Sequence, residues 1–498
     1  MKWQDRVMRG YAAVLLLLAA SLLLRAPGFT SSVLDPDEGL YMVQAVAWLA
    51  GRWPYVAVWD MHPTGAPALF ALAKALIPDP VLAMRLVGAV AVAATAIGLR
   101  ALALLLGESD ITAFFAGLLY VAHSVVLGGL ASNTEILFAP FVVLTAWLLL
   151  REALLHGPPR TGAVLLAGLS AGMAVWIKQI AVLECSALWL TLVAVAWSGG
   201  RLALRRVLLL ALVFAAGAGL PSLAVAAAYW VLGHLDAWLQ GNIFSLLSYG
   251  MTVPEDTPGL RRGLVPALGQ LIWLILAACC MAAERRGRMR LLLPWLLAAT
   301  LAVAAPWKFY SNHFLILLAP LSLLAAIGLA ALMCLAVHAG LRRRCFAGMA
   351  ALVAALPVSD MLLPRLAYGA GLRGEDPGRQ VAELVQAALR PGEPLYVANW
   401  HTITYVLAGQ APPTPYAFAD HLAGHFNEVT GIDADAELAR VLALPPGAIV
   451  VAPYRWGSVR PEARKVIEAA IAQGYELFAS TDDGRGEVQV WRRRDDPR

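Results

Sequence analysis

Apolar runs long enough to cross a lipid bilayer recur along most of this 498-residue chain, and they constrain its fold more than any other feature. A membrane-spanning helix needs about 20 mostly apolar residues, because the hydrocarbon core is about 30 Å thick. Runs of spanning or near-spanning length lie at about 11–26, 81–106, 111–130, 136–151, 162–177, 181–197, 207–231, 264–283, 291–306, 314–336 and 344–363. Only 14% of the residues are charged, against about 25% in soluble proteins. The chain is therefore predicted to be an α-helical polytopic membrane protein with about eleven spans.

The distribution of basic residues predicts how these spans are oriented. Segment 64–77 is ambiguous, because it is short and contains Pro67 and Lys74. If it does not cross the membrane, nearly every basic cluster lies on the cytoplasmic side, as the positive-inside rule requires. These clusters are the N-terminus, Arg151 with Arg160, Arg201 with Arg205 and Arg206, Arg285–Arg290, and Arg342–Arg344. We therefore expect a juxtamembrane or re-entrant helix at 64–77, in a multi-pass protein of the cytoplasmic (inner) membrane with a cytoplasmic N-terminus. The clusters also explain the formal net charge of +5, so nucleic acid is not expected as a partner.

From about residue 368 the composition becomes that of a soluble α/β domain. We expect a membrane domain at 1–367, with a first outer loop at 27–80, and an extracytoplasmic α/β domain at 368–498. Periodicity predicts helices at Gln380–Leu389, Asp433–Leu442 and Pro461–Gln473, and strands at Pro394–Ala398, Ala448–Ala452, Tyr475–Ser480 and Glu487–Trp491. The loose alternation favours a small sheet with helices packed on it.

The first outer loop opens with Asp35-Pro36-Asp37-Glu38, which is typical of a helix start. Asp is a preferred N-cap, Pro a preferred first helical residue, and a Glu three places after the cap completes a capping box. Asp37 is not needed for that cap. It is followed by Tyr41 and Gln44 at helical spacing, which predicts a narrow polar stripe turned toward a cavity.

Further polar side chains accompany the predicted outer ends of the spans. They are Asp60 and His62 before Pro63, Arg85, Glu135 in the turn Ser132–Glu135, Lys178, and the group Lys308, Tyr310 and His313. Each has a simpler explanation, because a His before Pro is often an ordinary loop residue and Lys or Arg can extend to lipid headgroups. Together, however, they bring carboxylates and cations to the level of lipid phosphates. A carboxylate can accept a proton from a hydroxyl nucleophile, and cations can stabilise a departing phosphate. The chemistry indicated is group transfer from a membrane-anchored phosphate donor.

The order of these motifs resembles that of the GT-C glycosyltransferases, and within them the dolichyl-phosphate-mannose protein mannosyltransferase and aminoarabinose transferase superfamily. The resemblance rests on Asp37-Glu38-Gly39-Leu40-Tyr41 directly after the first span, on His62-Pro63, and on Glu135 in the next outer turn. It covers about residues 1–340, and the C-terminal domain is similar in placement to the periplasmic domains of bacterial members. It implies inverting transfer of a hexosyl or pentosyl group from a polyprenyl-phosphate-linked sugar at the outer membrane face.

Carried over to this sequence, the resemblance implies specific roles for these residues. Asp37 would be the catalytic carboxylate, with Glu38 and Glu135 as further acidic residues of the reaction. Substrate contacts would come from Asp35, Tyr41, Asp60, His62, Arg85, Lys178, Lys308, Tyr310 and His313. A divalent metal ion of unspecified identity is a further expectation, with Asp37 and Glu135 as its ligands. The family's common Glu-Lys-Pro-Pro appears here as Asp60-Met61-His62-Pro63-Thr64, so a mostly neutral His replaces a permanent cation.

Two other classes of function stay open at the level of sequence. A transporter or lipid flippase would show paired repeats and charges near the bilayer midplane, whereas here the charges gather at one face and no repeat is visible. A noncatalytic assembly protein would use the first loop only to start a helix. The sugar also stays open, as does the acceptor, which could be a glycan, a lipid or a protein.

Overall fold

The computed structural model describes residues 2–251, 259–284, 287–369 and 376–495. The helices are α1 (Lys2–Arg25), α2 (Pro36–Leu49), α3 (Gly65–Leu76), α4 (Pro80–Leu105), α5 (Asp110–His123), α6 (Thr134–Leu154), α7 (Thr161–Ile177), α8 (Val182–Ser198), α9 (Leu204–Val231), α10 (Leu235–Leu239), α11 (Ser245–Met251), α12 (Gly259–Cys279), α13 (Met289–Ala304), α14 (Leu318–Ala336), α15 (Arg342–Gly369), α16 (Pro377–Ala388), α17 (Ile403–Leu407), α18 (Ala419–Leu422), α19 (Ala434–Ala443) and α20 (Pro461–Gly474). The strands are β1 (Leu395–Val397), β2 (Ala448–Val451), β3 (Tyr475–Asp482) and β4 (Glu487–Arg493).

The chain forms two compact units. The membrane unit comprises Met1–Gly28, Arg85–Val225 and Pro258–Ala367, and the loop-and-sheet unit comprises Phe29–Met84, Ala226–Thr257 and Tyr368–Arg498. The second unit therefore contains most of the predicted first outer loop together with the predicted C-terminal domain. The domain boundary at residue 368 itself stays a prediction.

Seven helical segments in the described parts of the chain are long and apolar enough to cross a membrane. They are Gly10–Gly28, Pro80–Leu105, Thr134–Leu154, Gln179–Ser198, Leu204–Val231, Gly259–Ala282 and Ser311–Ala336. The runs predicted at 111–130, 162–177 and 291–306 correspond to the shorter apolar helices α5, α7 and α13. The run at 344–363 lies within α15, whose side chains are described only as far as 358. A polytopic helical membrane protein is thus confirmed, although the number of spans by length is smaller than the eleven predicted.

The apolar run at 111–130 is not one helix. Helix α5 ends at His123, and the chain turns through 124–131 before α6 begins. Leu127 and Gly128 adopt positive φ angles of 59° and 76°, which no α-helix accommodates. Periodicity cannot detect such a turn, because its residues are as apolar as the helix before them.

Helix α3 is the structured part of the ambiguous segment 64–77. Its 12 residues rise about 18 Å at 1.5 Å per residue, against a hydrocarbon core of about 30 Å. A regular helix of this length does not cross a bilayer alone, which agrees with the expectation of a juxtamembrane or re-entrant helix. The orientation of the spans stays a prediction.

The C-terminal sheet has four strands in the order β1-β2-β4-β3. Strands β1 and β2 are parallel, whereas β4 pairs antiparallel with both β2 and β3. Successive residues of β2 face opposite layers: Val450 joins the core with α16, and Ile449 joins the core with α19 and α20. The three helices and four strands predicted for this region are all present, so the α/β class of the domain is confirmed.

Helix α2 of the first loop shares a hydrophobic core with this sheet. Leu40, Val43 and Ala47 are buried in the cluster that contains α16 and β1. Gly39 makes this possible, because a Cβ atom there would lie 2.8 Å from the backbone nitrogen of Ile403 in α17. The first loop therefore takes its position from the C-terminal sheet.

Replacing Gly39 with Ala should destabilise the loop-and-sheet unit. The new methyl group meets backbone rather than a movable side chain, so α2 and α17 must separate, at a cost of about 1–3 kcal/mol in the free energy of unfolding. Gly474→Ala is the matched control, since Gly474 closes α20 and a Cβ atom there meets nothing within 4 Å. Denaturant titration of the purified chain measures both variants. Equal stability of the two would contradict this packing.

Candidate active site

The start of α2 forms the predicted capping box. The Oδ1 atom of Asp35 accepts the N–H of Asp37 at 2.9 Å, and the Oε1 atom of Glu38 accepts the N–H of Asp35 at 3.2 Å. Asp35 and Glu38 therefore orient the helix, and the Glu38 side chain is buried. Asp37 contributes its backbone N–H to the box, and its side chain is partly exposed. Among these three carboxylates, Asp37 is the one that the helix start does not use.

The polar stripe of α2 packs against protein rather than lining a cavity. The Nε2 atom of Gln44 donates to the carbonyl of Val58 at 3.1 Å. The Tyr41 ring lies edge-on to the rings of His62 and Phe70, at centroid distances of 5.8 and 6.2 Å. Gln44 and Tyr41 thus connect α2 to the end of the loop and to α3. This differs from the expectation of a stripe turned toward a cavity, since Tyr41 and Gln44 are buried against protein and Asp37 is partly exposed.

Asp60 and His62 form a carboxylate–imidazole pair within the same unit. The Nδ1 atom of His62 lies 3.2 and 3.3 Å from the two carboxylate oxygens of Asp60, whose Oδ1 also accepts the N–H of Met61. The Asp60 side chain is 2% exposed. A carboxylate in this position directs the imidazole proton to Nδ1 and stabilises positive charge on the ring. The imidazole ring of His62 is therefore oriented by a buried carboxylate.

A second histidine, His421 of α18, lies close to this pair and was missed by sequence reasoning. Its ring centroid is 4.8 Å from that of Trp59 and 5.0 Å from that of Phe418. Burial lowers the pKa of His421 to about 4; the Asp60 charge opposes this shift and His62 adds to it. The C-terminal domain thus places a neutral imidazole within electrostatic range of the Asp60–His62 pair. The sequence around residue 421 contains no local motif from which this contact could be predicted.

Tyr55 holds the loop end from the other side. Its hydroxyl donates to the carbonyl of His62 at 2.9 Å and accepts from the Nδ2 atom of Asn242 at 2.7 Å. Its φ of 63° lies in the left-handed region, which is strained for a tyrosine. Burial, with a smaller effect from Tyr229, raises the pKa of Tyr55 well above its ordinary value, so the phenol stays a donor. Strain of this kind is retained where the surroundings fix a functional geometry.

The membrane unit contains a second set of predicted residues, centred on Glu135 at the start of α6. The Nζ atom of Lys178 lies 2.6 Å from Oε1 of Glu135, and the hydroxyl of Thr134 donates to Oε2 at 3.2 Å. The Glu135 side chain is fully buried and that of Lys178 is 15% exposed. His313 is also close enough to interact with the Glu135 charge. Three of the predicted residues are therefore brought together.

Arg25 holds the turn that leads to Glu135, and sequence reasoning missed it as the ordinary end of a span. The guanidinium group is buried and donates to the carbonyls of Gly129, Leu130 and Ala131 at 2.6, 2.9 and 2.9 Å. These carbonyls belong to the turn between α5 and α6, where helix hydrogen bonds are absent. In a hydrophobic layer without water, one charged guanidinium group can satisfy all three carbonyl oxygens.

The polar group before α14 is held in a strained segment. Lys308 is completely buried, and this burial lowers the pKa of its ammonium group. Its neighbours Trp307 and Phe309 both have a φ of 56°. The rings of Tyr310 and His313 meet edge-on at 5.6 Å. Arg85 donates from Nε to the carbonyl of Gly28 at 3.2 Å, and its predicted contact with the substrate stays a prediction.

Glu184 is a buried acid that sequence reasoning missed entirely. It lies in α8, is 2% exposed, and accepts a hydrogen bond at 2.7 Å from the indole N–H of Trp295. A small cavity is lined by both Glu135 and Glu184 together with apolar side chains. The signal was present, because a lone acid within an apolar run deserves a functional hypothesis by default.

The donor groups do not favour the predicted divalent metal ion. In the described residues, no group of three or more His, Cys, Asp and Glu side chains could hold a metal. The Glu135 carboxylate is already neutralised by Lys178. A metal at Asp37 and Glu135 therefore stays a prediction, and no step below depends on it.

Comparisons with known proteins show the fold. No family model and no curated protein matches the chain. Among solved structures, the chain is similar to ArnT from Cupriavidus metallidurans bound to undecaprenyl phosphate, with 15% identity, a TM-score of 0.62, and coverage of 96% of this chain and 97% of that one. The Archaeoglobus fulgidus oligosaccharyltransferase gives 14% identity and a TM-score of 0.50 over 89% and 69% of the two chains. The arabinofuranosyltransferase AftD from Mycobacteria gives 17% and 0.54 over 97% and 40%.

These neighbours define the class of the fold, which is that of the GT-C glycosyltransferases, as the sequence resemblance implied. The likeness to ArnT runs through nearly the whole of both chains, including the C-terminal region. At such identities the likeness establishes architecture, and the activity is a separate question.

The buried pair Glu135–Lys178 should show strong energetic coupling. Glu135→Gln or Lys178→Met alone leaves one buried charge without its partner, which costs about 3–5 kcal/mol of stability. The double variant should lose much less stability than the sum of the losses in the two single variants. The exposed pair Arg464–Glu468, at 2.9 Å with both side chains 46% exposed, is the control, with expected coupling below about 0.5 kcal/mol. Additive losses at Glu135 and Lys178 would refute the coupling.

His421 should make the chain less stable in mild acid. The folded chain keeps His421 neutral down to about pH 4, whereas the unfolded chain binds that proton near pH 6.5. The unfolded state therefore binds more protons between these values, and the free energy of unfolding falls as the pH falls through this window, by about 2 kcal/mol at pH 5. His421→Gln should remove the share of this slope that His421 contributes, while buried His401, whose pKa is also lowered by burial, keeps its own share. His425→Gln, in which a less buried His of the same segment is changed, should keep it. If the free energy of unfolding of both variants depended on pH in the same way, the slope could not be assigned to His421.

Proposed function

We propose that this protein is an inverting glycosyltransferase that moves a sugar from a polyprenyl-phosphate donor to an acceptor hydroxyl at the outer face of the cytoplasmic membrane. The observation that carries the proposal is the full-length structural likeness to ArnT, a structure that contains undecaprenyl phosphate. Two features, each within its own unit, are consistent with it: a partly exposed Asp37 in the loop-and-sheet unit, and the buried or mostly buried cations Lys308 and Lys178 in the membrane unit. The proposal also retains a cytoplasmic N-terminus and an extracytoplasmic C-terminal domain.

In this mechanism Asp37 acts as the general base. Its carboxylate accepts the proton of the acceptor hydroxyl as that oxygen forms a bond to the anomeric carbon. The bond from that carbon to the phosphate oxygen breaks, and polyprenyl phosphate leaves with the electron pair. Attack from the face opposite the leaving group inverts the anomeric configuration. The proton therefore ends on Asp37, and the negative charge on the lipid phosphate.

The structure supports a preorganised position for Asp37. The capping box fixes the first turn of α2, and the shared core with the sheet fixes the rest of the helix. A base held in one geometry loses little entropy in the transition state. Asp60 and His62, joined to Tyr41, supply further polar groups within the same unit.

The cations of the membrane unit are assigned to the donor phosphate. Lys178 is already paired with Glu135, so that carboxylate orients its ammonium group. Burial lowers the pKa of the Lys308 ammonium group, because the charged form loses its hydration. An anionic phosphate beside it would offset this loss. Buried cations are effective where negative charge develops in the transition state, because little solvent screens them. Tyr310 and His313 lie beside Lys308 in sequence and are assigned to the same contact.

A transporter or lipid flippase is the alternative class. Asp37 separates it from the transferase, because movement of an intact donor across the bilayer requires no base at the acceptor hydroxyl. A screen of polyprenyl-phosphate-linked donors would identify the sugar, and a separate screen of acceptors would identify the hydroxyl that receives it.

Asp37→Asn should lower sugar transfer by about 10²–10⁴-fold, because the amide cannot accept the proton. The readout is release of label from a polyprenyl-phosphate-linked sugar in membranes that contain the variant. Asp433→Asn is the matched control: it makes the same chemical change at the N-cap of α19, where Asn caps as well as Asp. Normal expression and insertion of Asp37→Asn show that the loss is chemical. Near-normal transfer by this variant would exclude Asp37 as the base.

A further inference from the structure

A cavity of about 370 Å³ opens in the membrane unit, and none of its lining residues is assigned to sugar transfer. It lies where three helices meet at their ends: the beginning of α5, the last turns of α14 and the beginning of α15. This volume falls within the range of small-molecule sites, about 300–1,000 Å³.

The floor of this cavity is apolar and well packed. Met333 and Phe346 line it and are 8% and 4% exposed. The Phe346 ring meets the Phe115 ring edge-on at 5.6 Å, which fixes its orientation. Ala330 leaves room beside them. Such a floor suits the upper part of an acyl chain better than a water-filled site.

The rim of the cavity carries positive charge. Arg342 and Arg343 both line it, and the Nε atom of Arg342 donates to the carbonyl of Val337 at 2.9 Å, which anchors that side chain. Asp110 also lines the cavity, but its carboxylate is paired with Arg100 at 3.3 Å. The charge that an entering ligand meets is therefore positive, and the positive end of the α5 dipole adds to it.

We propose that this cavity binds one anionic phospholipid, with its phosphate at Arg342 and Arg343 and its upper acyl chain against Met333 and Phe346. An apolar floor below a basic rim, at the ends of apolar helices, matches the boundary between headgroup and acyl chain. The predicted orientation of the basic clusters places this lipid in the cytoplasmic leaflet. The proposal does not depend on sugar transfer, since none of these residues takes part in it.

Native mass spectrometry of the full chain in detergent tests the proposal, with phosphatidylglycerol as the probe and phosphatidylcholine as the neutral comparison. The wild-type chain should retain one phosphatidylglycerol and release phosphatidylcholine. The double variant R342Q/R343Q should bind phosphatidylglycerol about tenfold or more weakly, because each arginine near a phosphate contributes about one factor of five. Arg344→Gln is the matched control, since this neighbouring exposed arginine does not line the cavity.

Two further measurements keep the test independent of folding defects. Arg343→Gln alone preserves the bond from Arg342 to Val337 and should still weaken binding several-fold. Cys334 lines the cavity, so phosphatidylglycerol should protect it from maleimide alkylation, whereas the exposed Cys279 should react as before.

Three outcomes would overturn the proposal. The first is equal retention of phosphatidylcholine, and the second is an equal loss of binding in Arg344→Gln. The third is displacement of phosphatidylglycerol by an equimolar amount of undecaprenyl phosphate, which would assign the cavity to the donor lipid instead.

Discussion

Pairing of buried charge is the constraint on which the membrane unit depends. An isolated ion in a hydrophobic layer costs far more than one protein contact returns, so each buried ion needs a specific partner. Glu135 pairs with Lys178, and Arg25 donates to the carbonyls of the turn before α6. The buried carboxyl group of Glu184 accepts the indole N–H of Trp295. These contacts join the start of α6 to the segment after α7, α8 to α13, and the end of α1 to the turn before α6. The polar groups available for chemistry are therefore held by the same contacts that stabilise the fold.

In the loop-and-sheet unit, the main constraint is that a polar loop must be held in one conformation. Helix α2 is short, and its apolar face is buried against the C-terminal sheet through Leu40 and Val43. Tyr55 and Asn242 hold the end of the loop by hydrogen bonds. The C-terminal domain thus has a physical role before any binding role is assigned to it: it positions the helix that carries Asp37.

Local chemistry was readable from the sequence, whereas contacts between distant segments were not. The capping box of Asp35 and Glu38 and the strands of the sheet follow from short-range spacing, and the structure confirms them. The turn after His123 was missed because its residues are as apolar as a span. His421 could not be predicted as a neighbour of Asp60, since only tertiary folding joins them. The assigned roles of Asp37, Glu135 and Lys178 stay predictions, because geometry alone does not report turnover.

The most direct test of the central claim is turnover by the purified chain in proteoliposomes. A panel of polyprenyl-phosphate-linked hexoses and pentoses, radiolabelled in the sugar, would be supplied together with glycan, lipid and peptide acceptors that carry hydroxyl groups. The free polyprenyl phosphate would be measured together with the glycosylated acceptor. We expect one donor to yield equal amounts of both products, with an inverted anomeric linkage in the sugar product. Passage of intact donor to the opposite leaflet without sugar release would contradict the account and indicate a flippase.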